Sequence, residues 1–240
     1  MEKDPDGFPM RINKYLAHKQ VATRRAADAL ISKKRVLING RTAVLGDKVN
    51  LGDKITLQKG FKREESKYFA YNKAKGVLTT GAQNQEEIEI IKKIPLKGVF
   101  PVGRLDKDSH GLIILTNDGR ITDPLLNPEN DHEKEYIVKT RDPLRNNFKE
   151  KIEAGLNIEG YMTKPCKVKV ISEKVFKITL TEGKKHQIRR MVVALFNDVV
   201  DLKRTRIQNI NLGDLKVNQY REIVGEEKDE FLKSLGFTNY

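Results

Sequence analysis

Residues Val102 to Gly119 read V-G-R-L-D-K-D-S-H-G-L-I-I-L-T-N-D-G. The apolar run Leu112 to Leu115 follows a turn that carries Gly103, Arg104, Asp106 and Gly111, and it ends at Asn117-Asp118-Gly119. A short apolar run bounded by turn residues reads as a buried strand. Such a strand does not need a Gly-Arg-Leu-Asp turn before it, but chemistry on a polyanion would. Glycines on either side of a carboxylate allow a sharp backbone path. Arg104, two residues from Asp106, points the same way along an extended chain. A cation there favours the ionised carboxylate, which can act as nucleophile or base. An isolated aspartate is more often a turn cap. Asp118, in Asn-Asp-Gly, reads that way, and Asp108 is a rival carboxylate.

The chain has 240 residues, 38% apolar and 33% charged, which suffices for a core under a heavily charged surface. No apolar run approaches the roughly 20 residues of a membrane span. Met1 to Pro9 is acidic without an apolar centre, so no secretory signal is expected. One cysteine, Cys166, excludes an internal disulfide framework. The four histidines are scattered and show no metal-ligand spacing. A soluble cytoplasmic protein with no membrane partner and no metal is expected.

The net charge of +13 is unevenly spread: residues 11–57 hold 11 Lys/Arg against 3 Asp/Glu, the remainder 35 against 30. About a fifth of the chain thus carries most of the excess, as in a docking module beside a working domain. Ile12, Tyr15 and Leu16 have helical spacing. Thr23 fits the N-cap of a second helix with Ala26, Ala27, Leu30 and Ile31 on its apolar face. Arg24 and Arg25 sit in its first turn, where the macrodipole disfavours cations unless an external anion is present. Lys33-Lys34-Arg35 closes the helix. Val36 and Ile38 begin short strands, with Asn39-Gly40 as a turn. This order and the segments R-I-N-K-Y-L, T-R-R-A-A-D-A-L-I and V-L-I-N-G resemble the S4 RNA-binding domain over residues 10–57. The resemblance implies that Arg11, Lys14, Arg24, Arg25, Lys33, Lys34 and Arg35 face RNA phosphates, contacts that position without reading sequence.

Residues 58–66 read as a linker. Beyond it, strands are expected at Tyr68–Tyr71, Val99–Val102, Leu112–Leu115, Glu135–Thr140, Val199–Ile210 and Tyr220–Val224, with a hairpin over Cys166–Ile171 and Val175–Leu180. Helices are expected at Glu86–Lys93, Asn146–Ala154, Gln187–Phe196 and Glu226–Leu235. The fold class is α+β: a small module of two helices and short strands, then a mixed, largely antiparallel α/β domain over residues 67–236.

Two further segments can carry chemistry. E-G-K-K-H-Q-I-R-R-M, Glu182 to Met191, gathers Lys184, Lys185, Arg189 and Arg190 at a helix start. D-H-E-K-E-Y-I-V brings Tyr136 into a strand, where a tyrosine is ordinarily core. With G-R-L-D-x-x-x-x-G-L-x-x-L-T-N-D-G, these segments resemble the motifs of pseudouridine synthases, in the branch that contains RsuA, RluB, RluE and RluF. V-F-P-V-G-R-L-D-K-D-S-H-G-L-I and N-D-H-E-K-E-Y are most similar to the RluF type.

The resemblance implies that Asp106 is the catalytic aspartate, that Tyr136 stacks on the target base and handles protons, and that Arg189 ion-pairs with the aspartate. It places Ile188 in the pocket wall, with Arg104 filling the gap left by the base or gripping a flanking phosphate. Lys107, Lys184, Lys185 and Arg190 are expected at the RNA; His186 has no assigned role. The family motif Asn-Lys-Pro-x-Gly appears here as Asn72-Lys73-Ala74-Lys75-Gly76, without the proline that would stiffen the loop. The reaction so implied detaches uracil from C1′ and rejoins it through C5, without metal, redox cofactor or energy source. Asp106 either addresses C1′ or helps deprotonate the sugar. The target base must leave its stack to reach it. The expected substrate is large-subunit (23S) rRNA, with a tRNA anticodon uridine and other rRNA sites open, and the expected state is a monomer. A non-catalytic ribosome-assembly protein is the competing class, disfavoured by the presence of Asp106, Tyr136 and Arg189 together.

Overall fold

The computed structural model describes residues 7–19, 21–58, 65–81 and 89–237. Most of the expected linker and the start of the helix expected at Glu86 lie outside these residues. Its described end, Ile90–Lys93, is a 3-10 turn. The chain divides into two compact units: residues up to Lys67 with the segments Lys97–Phe100 and Thr116–Arg120, and the remainder.

The N-terminal part comprises β1 (Met10–Arg11), α1 (Ile12–His18), α2 (Arg24–Ser32), β2 (Val36–Ile38), β3 (Arg41–Thr42), β4 (Lys48–Val49) and β5 (Ile55–Leu57). Thr23 caps α2 as expected, its Oγ1 accepting from the Ala26 amide at 3.3 Å. Ala27 and Ile31 join Ile12, Leu16, Val36, Ile38, Ala43 and Val49 in one core. Ala26 is exposed, because it lies one residue, about 100°, off that stripe. Asn39 and Gly40 have φ of 49° and 86°, the pair of left-handed residues that a type I′ turn requires between β2 and β3.

The second unit is built on β6 (Tyr68–Lys73), β7 (Phe100–Val102), β8 (His110–Thr116), α3 (Thr122–Leu126), β9 (Lys134–Thr140), α4 (Phe148–Glu153), β10 (Asn157–Ile158), β11 (Tyr161–Met162), β12 (Lys167–Ser172), β13 (Val175–Leu180), α5 (Gln187–Ala194), β14 (Val199–Ile207), β15 (Ile210–Asn211), β16 (Tyr220–Glu222) and α6 (Gly225–Ser234). The main sheet runs β12-β13-β9-β14-β8-β6-β16, with β15 on β14 and β7 on β8. β14 is parallel to β8 and antiparallel to β9. Leu112 to Leu115 are completely buried, as the unbroken apolar run demands. On β9 only alternate residues are buried, the set Lys134, Tyr136, Val138 and Thr140. Phe148 of α4 packs edge-on against Phe176 of β13 at 4.9 Å between centroids. α5 buries Gln187, Ile188, Met191 and Val192. Pro124–Asn130, which carries no predicted element, forms the end of α3 and a 3-10 turn. A helix of little more than one turn leaves no period to read. No described helix is long and apolar enough to cross a membrane.

Candidate active site

Asp106 lies between β7 and β8 on a backbone fastened at both sides. Before it, the amide of buried Leu105 donates to Thr79 Oγ1 at 3.0 Å, and that hydroxyl donates back to Leu105 O at 2.8 Å. After it, the Ser109 amide closes a turn onto Asp106 O at 3.1 Å. The buried Lys73 ammonium donates to Ser109 O at 2.6 Å, Ala74 O at 3.0 Å and Lys107 O at 3.3 Å. The Gly76 amide adds a bond to Lys107 O at 2.8 Å. Lys73 therefore supplies the stiffness expected of the missing proline: three carbonyls take its three N–H groups. Burial pushes this lysine down to about 8, opposed by the charges of Asp106 and Asp108.

The carboxylate itself is 36% exposed, and its Oδ2 stands 3.3 Å from His186 Nδ1. His186 has φ of 52° and forms the N-cap of α5, the positive end of the helix, which favours an anion. The turn before it is held from inside. Buried Glu182 accepts from Gln187 Nε2 at 2.6 Å and the Lys164 amide at 3.0 Å, and Gln187 Oε1 accepts from the Lys184 amide at 2.9 Å.

Arg189 does not pair with Asp106 as expected. Its guanidinium donates to Val199 O at 3.2 Å, Ser109 Oγ at 3.3 Å and Asp108 O at 3.4 Å. It starts one turn into α5, so its fork reaches the far limb of the aspartate loop and ties that limb to β14. Arg104 also makes no ion pair with Asp106; its side chain is exposed, with buried Leu105 between the two. His186 was missed because a lone histidine in a lysine-rich turn carries no spacing signal.

Tyr136 is 9% exposed and stands in register with Ile178 on β13 and Arg204 on β14. Arg204 in turn is opposite Gly111 on β8, five residues after Asp106. This close approach needs the glycine: a Cβ on residue 111 would lie 2.3 Å from Arg204 O. Buried Arg204 donates from Nε to Leu112 O at 2.7 Å. Lys134, two residues before Tyr136 on the same face, is buried and pushed down to about 8, first by desolvation and then by Arg204. The sheet face around Tyr136 is thus positive, which the sequence does not reveal because Lys134 and Arg204 lie 70 positions apart and meet only through strand pairing. The Tyr136 hydroxyl has no hydrogen-bond partner among the described residues.

Ile188 is buried on α5. Lys107, Lys184 and Lys185 are exposed, Lys184 lying 4.5 Å from the centroid of Tyr161. Arg190, expected at the RNA, is committed elsewhere: it pairs with Glu159 at 2.5 Å and donates to Ile158 O and Lys185 O at 3.3 Å. In the N-terminal part Arg11, Lys14, Arg24, Arg25, Lys33 and Lys34 are exposed and Arg35 is half-buried. Burial pushes the Cys166 thiol up to about 12, which disqualifies it as a nucleophile. No group of three His, Cys, Asp or Glu among the described residues is placed to hold a metal.

A solvent-reached carboxylate on a backbone fastened on both sides, with a positive sheet face beside it and a strongly basic two-helix module in the same chain, marks an enzyme that acts on RNA. The chain belongs to the RNA pseudouridylate synthase family, which it matches over residues 67–194, and residues 10–55 match the S4 domain. It is 37% identical to the dual-specificity RNA pseudouridine synthase RluF of Escherichia coli K12 over 228 residues, 93% of this chain and 79% of the relative. It is 35% identical to the ribosomal large subunit pseudouridine synthase B of Bacillus subtilis 168 over 230 residues, 90% of this chain and 93% of that one. A crystal structure of a pseudouridylate synthase aligns with a TM-score of 0.69 at 29% identity, covering 94% of this chain and 99% of the other.

Proposed function

We propose that the protein isomerises a uridine of large-subunit (23S) rRNA to pseudouridine with Asp106 as the catalytic carboxylate, and that a tRNA anticodon uridine is a second substrate. The observation that carries the assignment is the double fastening of the Asp106 loop by Thr79 and Lys73, which leaves a solvent-reached carboxylate on an immobile backbone. The descriptions of the two bacterial relatives, one dual-specific and one of the large ribosomal subunit, support the choice of RNA.

In this reading the target uridine leaves its stack and lies against Tyr136 and Ile188. Asp106 compensates the positive charge that develops at C1′ as the C1′–N1 bond breaks. The uracil leaves with the C1′–N1 electron pair and turns, C5 bonds to C1′, the C5 proton passes by way of the Tyr136 hydroxyl to solvent, and N1 takes a proton from solvent. Substrate and product have the same atoms, so no co-reactant enters. His186 and the α5 N-terminus face the carboxylate, and Arg189 holds the loop. Arg104 grips a flanking phosphate. Residues 10–57 act as the docking module, 58–66 as linker and 67–236 as the catalytic domain. Arg11, Lys14, Arg24, Arg25, Lys33, Lys34 and Arg35 bind phosphates together with Lys107, Lys184 and Lys185. The enzyme works as a cytoplasmic monomer, a state that light scattering on the eluted peak of a sizing column checks.

Asp106→Asn abolishes pseudouridine formation and leaves RNA binding within about twofold. Carbodiimide primer extension on rRNA reads the product, and an active Asn variant sinks the assignment. Mapping pseudouridines in rRNA and tRNA with and without the gene identifies the targets.

A further inference from the structure

Helix α5 ends on a residue its backbone does not favour. The Phe196 amide donates to Val193 O at 2.9 Å and the Asn197 amide to Val192 O at 3.2 Å, so Phe196 occupies the left-handed position after the helix where glycine is usual. Its φ is 60°. A bulky side chain at positive φ is a true outlier that costs stability. Burial does not offset that cost, because Phe196 is 77% exposed, with Val193 and Val200 nearby in sequence at 57% and 53%.

The base under the ring is rigid. Asn197 Oδ1 accepts from the Asp142 and Asp198 amides at 3.1 and 2.8 Å, its Nδ2 donates to Asp142 O at 2.9 Å, and Arg141 pairs with Asp198 at 2.5 Å. The Arg145 guanidinium lies 5.0 Å from the ring centroid, within cation–π range. Strain of this kind persists where the surroundings over-determine it, typically at ligand contacts.

A rigid, mostly uncovered aromatic ring beside a guanidinium suits a planar π-system carrying an anion. We propose that Phe196 and Arg145 form a stacking platform for an unpaired base of the RNA substrate, with Arg145 toward its phosphate. The inference rests on the reading that the substrate is rRNA. Three exposed apolar side chains fall far short of the roughly 800 Å² per partner of a stable protein interface, which favours a nucleobase over a protein. Ten residues along α5 and its end separate His186 from Phe196, about 15 Å at the helical rise, so the stacked base is a few nucleotides from the target uridine.

The test compares the full-length chain with Phe196→Gly and Phe196→Trp by filter binding to transcribed 23S rRNA and by thermal melting. Phe196→Gly weakens Kd at least threefold, with about fivefold the lower end for one base stacked on an aromatic ring. Its Tm stays level or rises by about 1–3 °C, because glycine relieves the left-handed strain. Phe196→Trp keeps Kd within threefold, since a larger ring still stacks. A Gly variant that binds within threefold of wild type overturns the platform. So does a Trp variant as weak as the Gly one, or a Gly variant whose Tm falls, which would assign the ring to stability. Pseudouridine formation by the wild-type chain on the same transcript checks the rRNA reading separately; its failure sinks that reading, whereas equal affinity of wild type and Phe196→Gly sinks only the platform.

Discussion

The imidazole of His186, 3.3 Å from the carboxylate of Asp106, occupies the place expected of Arg189. Arg189 instead ties Asp108 and Ser109 to the start of β14. The two roles respond differently to substitution. A pure ion pair would tolerate lysine, whereas three acceptors in a fork need the planar guanidinium. Arg189→Lys lowers kcat at least tenfold, close to Arg189→Ala. His186→Gln, which keeps a hydrogen-bond donor and loses the imidazole, lowers kcat about three- to tenfold with KM within twofold. Release of tritium from RNA labelled at uridine C5 measures both, and full activity of Arg189→Lys would restore the ion-pair reading.

Lys73 should matter through the loop and through its proton. Lys73→Met removes the ammonium from three carbonyls, of which Lys107 O keeps the Gly76 amide, and lowers kcat about ten- to 100-fold while RNA binding holds. Its folded value of about 8 lies below the ordinary 10.5, so between those pH values the unfolded chain binds more protons than the native one. Native stability therefore gains from this group as pH rises from about 8 toward 10. The Tm difference, wild type minus Lys73→Met, grows over that range. A difference independent of pH would mean that Lys73 is not shifted.

Gly111→Ala places a methyl 2.3 Å from Arg204 O at a residue whose φ is 102°. Both strain and clash oppose it, and a cost above about 3 kcal/mol is expected. Thermal melting then shows a loss of roughly 6 °C or more, with the parallel pairing of β8 and β14 disrupted. A melting point within 2 °C of wild type contradicts the close approach.

Arg24 and Arg25 are exposed in the first turn of α2, with no acidic residue in that turn. Replacing both with alanine removes the proposed phosphate contacts and a dipole conflict together. RNA affinity falls and the slope of log K against log salt flattens by about 1–2. The helix keeps or gains stability. An unchanged slope in a filter-binding salt series would place these arginines off the RNA.

Much of this was legible along the chain because the signals are local. Thr23 needed only its own hydroxyl and the Ala26 amide to cap α2, and Asn39-Gly40 needed only two left-handed residues to turn β2 into β3. The apolar run Leu112–Leu115 had to be buried whatever its neighbours were, and the aspartate motif named its own loop. Local composition could not say where long side chains end. Arg189 and Arg190 are adjacent and chemically alike, yet one clamps the aspartate loop and the other pairs with Glu159. Lys73 and Lys134 stand in motif segments without a role of their own and Arg204 in an expected strand, and only strand pairing shows that all three are buried, within electrostatic range of one another through Arg204. Sequence by itself determined which residues were chemically able to act, because turns, caps and hydrophobic period are written in neighbouring side chains. Only the tertiary structure decided which side chain meets Asp106, because that depends on register between strands and helices distant in the chain, where a shift of one position redirects a guanidinium to a different set of acceptors.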